Sequence, residues 1–132
     1  MSKRKNISSG SPWEPTIGYS RAVKVGNMVF VSGTAAVGED GNTVGPGDGY
    51  AQAKFILEKI GKALKQAGAS FEDVVRTRMY ITDFAHEGGV GKAHGEVFSV
   101  IRPATAIIQI AGLIKPDMVV EIEADAIITD TY

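Results

Sequence analysis

Cysteine is absent from the 132 residues. That excludes a disulfide scaffold, a thiol nucleophile and a thiolate metal site, and it fits a reducing compartment, so a cytoplasmic location is expected. An excess of one charge is also missing. The net charge is −1, so no overall field gathers nucleic acid or an acidic membrane. No stretch approaches the roughly 20 apolar residues of a membrane-spanning helix. The basic start, Lys3-Arg4-Lys5, is followed by no apolar run, which argues against a secretory leader and for a soluble terminus. His86, His94 and Glu96 lack the spacing of one metal-binding helix face, and no metal is expected. Gly88-Gly89-Val90-Gly91 lacks the preceding strand of a nucleotide site, and no cofactor is expected.

What remains is one domain's worth of chain, with 44% hydrophobic and 22% charged residues, large enough for a core without staples. Residues 1–16, with Pro12 and Pro15, read as an irregular lead-in in which Trp13 could act as an aromatic anchor. Residues 17–132 read as a single domain. Ala22 to Val25 and Met28 to Ser32 are β-branched runs separated by Gly26-Asn27, which marks a tight hairpin. Gly38 to Gly49 is a loop. Ala53, Ile56, Leu57, Ile60, Ala63, Leu64 and Ala67 recur at helical spacing, with lysines on the other face and Gly68 as the stop, so a helix is expected over 50–67. Val74 to Thr82 alternates as a strand. Its two faces are Arg76, Arg78 and Tyr80, against Val75, Thr77, Met79 and Ile81. A second helix over 87–100 is expected in spite of Gly88, Gly89, Gly91 and Gly95, each of which costs about 1 kcal/mol relative to Ala inside a helix.

The chain is organised around its last third. Arg102 to Ala111 and Val119 to Ala124 read as two strands joined by a turn marked by Pro116. Glu121 and Glu123 point the same way from the second strand, with Asp125 next in line. Carboxylates in such a place are costly unless paired, solvated in a cleft, or used. One alternative is that both glutamates pair with Arg76 or Arg78. The other is that they line a cleft, where a partly desolvated carboxylate can act as a general base. The order β-β-α-β-α-β-β predicts an α+β fold, a single mixed sheet with two helices on one face. No remaining element is apolar enough to cover the other face, so a second copy of the chain is its simplest cover.

Three stretches carry a resemblance. They are Gly18-Tyr19-Ser20 with Val25-Gly26-Asn27-Met28-Val29-Phe30-Val31-Ser32-Gly33, then Tyr80-Ile81-Thr82-Asp83, then Pro103-Ala104 with Val120-Glu121-Ile122-Glu123-Ala124. Together they resemble the Rid (RidA, YjgF) family of reactive intermediate deaminases, also labelled L-PSP endoribonuclease and translation initiation inhibitor. The resemblance implies a chorismate-mutase-like fold and a homotrimer, with sheets facing inward and a ligand cleft at each subunit interface. It implies hydrolytic deamination of enamines or imines, such as 2-iminobutanoate and 2-iminopropanoate, to 2-oxo acids and ammonia, without a cofactor. Glu121 falls where the family holds its water-positioning glutamate. Tyr19 falls where a tyrosine closes the pocket, and Ser32 and Gly33 where backbone groups contact the ligand.

Thr105 departs from the pattern. The deaminase branch has an arginine there, which grips the substrate carboxylate through two parallel hydrogen bonds. Ile107 likewise replaces a small polar or thiol residue. The chain therefore resembles the arginine-lacking relatives, and Arg78 is the substitute cation singled out from the sequence. Hydrolytic deamination and non-catalytic binding of a small metabolite by a trimer both stand as readings. RNA cleavage ranks last, because the charge is near neutral and no basic, aromatic surface is evident.

Overall fold

The computed structural model describes residues 3–129; the outermost ends of the expected lead-in and domain, 1–2 and 130–132, lie outside them. Six strands form one sheet: β1 (Arg4–Ile7), β2 (Ala22–Val25), β3 (Met28–Ala35), β4 (Val74–Ile81), β5 (Ala104–Gln109) and β6 (Val120–Ile127). The spatial order is β1-β2-β3-β6-β4-β5. Neighbours are antiparallel except β4 and β5. Two helices, α1 (Gly49–Gln66) and α2 (Glu87–Phe98), complete the α+β architecture.

The helix α1 forms where apolar spacing and end signals agree. Ala53, Ile56, Leu57, Ile60, Ala63 and Leu64 are all buried. The Asp48 carboxylate accepts from the Ala51 N–H at 3.0 Å, and Gly68 leaves the helix at φ 82°, a left-handed conformation that glycine adopts without strain. Truncating the fully buried Ile60 to Ala would cost about 2–5 kcal/mol. α2 contributes Val90, Ala93 and Phe98 to the core, and that burial offsets its poor helix propensity. One of its glycines has a packing reason: a Cβ on Gly89 would come within 3.1 Å of the Tyr50 backbone nitrogen. On α1, a Cβ on Gly49 would come within 3.2 Å of Val90 and His86. The two helices therefore approach almost backbone to backbone.

One buried amide ties the loops to the sheet. Gln52 is fully buried, and its Nε2 donates to the Gly45 and Asp117 carbonyls at 3.0 and 2.8 Å. Its Oε1 accepts from the Val119 N–H at 2.9 Å. This fixes the chain immediately before β6, and hence the height at which Glu121 stands.

Three details differ from the sequence expectations. The lead-in is not wholly irregular, because Arg4–Ile7 pairs with β2. Only Ile7 of that strand is buried, so no apolar alternation announced it. β5 and β6 are not adjacent, since β4 lies between them; the Pro116 turn closes a crossover rather than a hairpin. Finally, Val75 does not share a face with Thr77. The β4–β6 register shifts between Val74 and Arg76, and the extra residue leaves Val75 exposed.

On β6, Val120, Ile122, Ala124 and Ala126 are buried beneath the helices, while Glu121, Glu123 and Asp125 alternate onto the open face. Among the described residues, no helix is long and apolar enough to cross a membrane.

Candidate active site

The site grows from an irregularity in β3. Its pairing with β6 shifts between Val31 and Thr34, so Ser32 and Gly33 step out of the ladder. The chain there is held from the β2 side. The Ser32 N–H donates to the Arg21 carbonyl at 2.9 Å, and the Ser32 hydroxyl donates to the Ser20 carbonyl at 2.7 Å. Gly33 is required for space. A Cβ at this position would lie 2.6 Å from Glu121 Oε2, so the carboxylate lies directly against the backbone where any side chain would intrude.

Arg21 supports the same bend from beneath. It is 7% exposed, and its Nη1 donates to the Gly33 carbonyl at 2.8 Å and to Thr34 Oγ1 at 2.9 Å. Its Cζ lies 5.6 Å from the centre of the Tyr19 ring, within cation–π range. Tyr19, Arg21, Gly33 and Glu121 line a cleft of about 850 Å³, together with Trp13, Phe55 and Lys59. That volume is in the range of small-molecule sites.

Glu121 is half-buried here, and burial raises its pKa above the ordinary glutamate value. The Arg21 charge pulls in the other direction, and Glu123 adds to the rise. A carboxylate held this way is a stronger base than one in water, which suits proton abstraction from a water molecule. Lys59, which also lines the cleft, has its pKa lowered, first by burial and then by the Arg21 charge.

The acidic pair divides: Glu123 is ion-paired, while Glu121 lines the cleft. Glu123 accepts from Arg78 Nη1 at 3.2 Å and from the Tyr80 hydroxyl at 2.8 Å, and Asp125 lies 3.5 Å from the same guanidinium. Glu121 has no such ion pair among the described residues. Arg78 is thereby placed in the ion pair and not on the cleft wall. Its register position opposite Glu123 turns it to that carboxylate in the single chain.

Thr105 and Ile107 also lie away from the cleft of the single chain, on β5 at the far edge of the sheet. Ile107 packs against the core. The Thr105 hydroxyl donates to the Pro103 carbonyl at 2.9 Å. A hydroxyl has one proton to give, so in its 2.8 Å contact with Thr77 Oγ1, Thr77 is the donor. Thr77 Oγ1, 2.9 Å from His94 Nε2, must then accept from that nitrogen. The chain of donors runs from the imidazole to the Pro103 carbonyl, and burial holds His94 below its ordinary pKa. Thr105 is left with neither a charge nor a free hydrogen.

The structure thus brings together Tyr19, Gly33 and Glu121, with Ser32 bracing the bend, and leaves Arg78, Thr105 and Ile107 elsewhere. Arg21 is the residue that sequence reasoning missed. Its one visible signal was a cation between Ser20 and Ala22, at the mouth of a strand whose next residue is core.

The family model for Endoribonuclease L-PSP matches residues 10–128. The chain belongs to the Rid/YjgF family. Among Rid/YjgF relatives, it is 35% identical over 126 residues to the 3-aminoacrylate deaminase RutC of Acinetobacter baylyi, covering 96% of this chain and 98% of that one. It is 36% identical over 122 residues to an uncharacterized protein, SCO2049, of Streptomyces coelicolor, covering 92% and 90%. The crystal structure of Rv2704 from Mycobacterium tuberculosis, a member of the YjgF/YER057c/UK114 family, superposes with a TM-score of 0.86 at 44% identity, covering 96% of this chain and 100% of that one.

Proposed function

We propose that the cleft takes a small enamine or imine of a 2-oxo acid and hydrolyses it, with Glu121 as the base. The carbon–nitrogen double bond of the imine is attacked by a water whose proton passes to Glu121. Glu121 returns that proton to the nitrogen, giving a tetrahedral carbinolamine; the carbinolamine hydroxyl then gives its proton to the nitrogen as the carbon–nitrogen bond breaks, so that ammonia leaves with a 2-oxo acid behind. An enamine enters the same route after protonation at carbon. The observation that carries this reading is the Glu121 carboxylate, half-buried against Gly33, with its pKa raised and without an ion pair. The 3-aminoacrylate deaminase relative supports the reaction class.

Assembly with further copies of the chain belongs to the same reading. The open sheet face carries Met28, Phe30 and Val75 exposed. A homotrimer, as the family resemblance implies, would cover them and carry Thr105 and Ile107 of one copy toward the cleft of the next. A second reading, binding without turnover, is favoured by one observation: the Thr105 hydroxyl is satisfied internally. Ammonia release from 2-aminoacrylate generated in place separates the two. The wild type accelerates it and Glu121→Gln does not. A wild-type rate equal to the buffer rate would sink the hydrolytic reading.

A further inference from the structure

The cleft carries more positive charge than the chain around it. Its lining holds four cations, Arg21, Lys59, Lys62 and Lys115, against two carboxylates, Glu39 and Glu121. The net charge of the whole protein is −1. None of the four cations lies in an ion pair among the described residues. Arg21 is spent on the β3 bend, and Lys115 Nζ donates to the Gly41 carbonyl at 2.9 Å. The Lys59 ammonium group can be placed on the cleft wall itself. Its Nζ donates to the Val37 carbonyl at 3.3 Å and stands 5.9 Å from the centre of the Phe55 ring. Val37 and Phe55 both line the cleft. That bond is long for an N–H to oxygen contact, and an ammonium has three hydrogens to give. Two of them are left without a protein acceptor among the described residues.

The position is costly for a charge as it stands. Lys59 is half-buried. Burial lowers its pKa first, and the Arg21 and Lys62 charges lower it further. Glu14 acts in the other direction, but that carboxylate is engaged elsewhere, since its Oε2 accepts from the Ser9 N–H and hydroxyl at 3.0 and 2.7 Å. An anion on Lys59 would offset both the desolvation and the repulsion. It would not be the acid group next to the reacting carbon. The Arg21 charge acts on both Lys59 and Glu121, whereas neither of those two is among the charges that shift the other. They face one cleft from different elements, α1 and β6, without standing in each other's field. A cleft of about 850 Å³ has room for a ligand that reaches both.

We propose that the α1 wall of the cleft is an anion subsite, in which Lys59 takes the far carboxylate of a dicarboxylic 2-oxo or 2-imino acid whose reacting carbon lies at Glu121. The inference rests on the cleft being the reaction site, and it narrows the substrate to acids with a second charge. Lys62 stands about one turn further along α1 and adds to the positive field without needing to touch the ligand. An ammonium acts as a compact charge on a flexible stem. The subsite therefore reads charge more than shape, and another cation at the same position should serve where an uncharged side chain of similar length does not.

The test is calorimetric binding of 2-oxoglutarate and of its 5-methyl ester, which keeps the chain and the near carboxylate but removes the far charge. The proteins are the wild type, Lys59→Met and Lys59→Arg. The wild type should prefer the diacid by about tenfold or more, the worth of a hydrogen bond to a charged group. Lys59→Met should erase that preference and change the affinity for the ester by no more than a few-fold, and Lys59→Arg should restore most of it. Equal wild-type affinity for the two probes, or no heat from 2-oxoglutarate at millimolar concentration, would overturn the subsite without recourse to any variant. That covers the case of Lys59→Met failing to fold. A diacid preference retained in folded Lys59→Met would overturn it too. Failure of the subsite and failure of the chemistry look different. A preference lost in Lys59→Met, with no wild-type ammonia release, keeps the subsite and removes the hydrolysis. Wild-type ammonia release from the imine of a monocarboxylic acid, with equal affinity for the two probes, does the reverse.

Discussion

Glu121 and Glu123 stand two residues apart on one strand and one face, yet they live in different chemistry. Glu123 is saturated: a guanidinium and a phenol hold it. Glu121 lies against a bare glycine backbone and has no ion pair among the described residues; Arg21 is bonded to that glycine's carbonyl. The difference comes from their neighbours in the ladder. β4 supplies Arg78 opposite Glu123 and Tyr80 opposite Glu121, but the Tyr80 hydroxyl reaches along the strand to Glu123 and leaves Glu121 alone. On the other side, β3 bends at Ser32-Gly33 beside Glu121 and runs regularly beside Asp125. A carboxylate becomes a candidate base here because the structure declines to pair it.

The sharpest way to break that comparison is to neutralise each glutamate in turn. Glu121→Gln should lower ammonia release by about 100-fold or more, the usual worth of a general base, and leave the melting temperature level or raised. Glu123→Gln should do the opposite. Turnover should stay within a few-fold, and stability should fall by about 1 kcal/mol or less, because the pair it breaks is part-exposed. Equal activity losses in the two variants would show that the carboxylates act as one cluster. Steady-state kinetics and thermal unfolding on the same preparations decide it.

Next in size is Gly33→Ala. The added methyl would meet Glu121 Oε2 at 2.6 Å and Cδ at 3.0 Å. A side-chain end can move away, so the fold should survive, but the base is displaced by the order of an ångström. Such a misplacement can cost about 100-fold in rate. A large fall in kcat with a small change in melting temperature is expected. An unchanged kcat would separate Glu121's position from the chemistry.

Some of this contrast was legible in the sequence. Period-2 alternation across Val119 to Ala124 showed two glutamates on one face, and helical spacing showed α1 to within a residue at either end. The family pattern singled out Glu121. What alternation could not show was partnership, which depends on strand order. β4 sits between β5 and β6, so Arg78 meets Glu123 and not the cleft, and no local signal carries that crossover. Arg21 was invisible for a related reason. Burial of a cation is a property of what closes over it, here Tyr19, Thr34 and the out-of-register glycine, and those come together only through the β3 bend. β1 was missed because three of its four residues face solvent, leaving no apolar period to read.

The contrast can also be read in pH. Burial raises the Glu121 pKa above its ordinary value of 4.5, so the acid limb of turnover should lie above that value. Arg21 holds the shift back, and Arg21→Met should move the limb further upward in kcat, where substrate is saturating. The stability consequence has a definite sign. A group whose pKa is raised on folding binds its proton more tightly in the native state. The stability gained that way is full below the unfolded value and is lost as pH rises through the folded one. Urea unfolding of the wild type should therefore weaken across that window relative to Glu121→Gln. Matching curves for the two proteins would mean that Glu121 is solvated as in water.

The smallest expected effect tests the quiet partner. The Tyr80 hydroxyl donates to Glu123 at 2.8 Å, and that bond first, then burial, raises the Tyr80 pKa. A phenol giving its hydrogen to a carboxylate parts with its proton reluctantly, so its ultraviolet titration should run later than that of free tyrosine. Tyr80→Phe removes the bond and keeps the ring. It should cost about 1 kcal/mol or less, since Glu123 keeps Arg78 and is part-exposed. Turnover should hold, with one informative exception. If Glu123, freed from the phenol, swings toward Glu121, two like charges crowd together, the Glu121 pKa climbs, and the acid limb of turnover moves up without any change in its plateau. A fall in the plateau itself would put Tyr80 inside the reacting cleft, and the division between a paired end and an unpaired end of β6 would have to be redrawn.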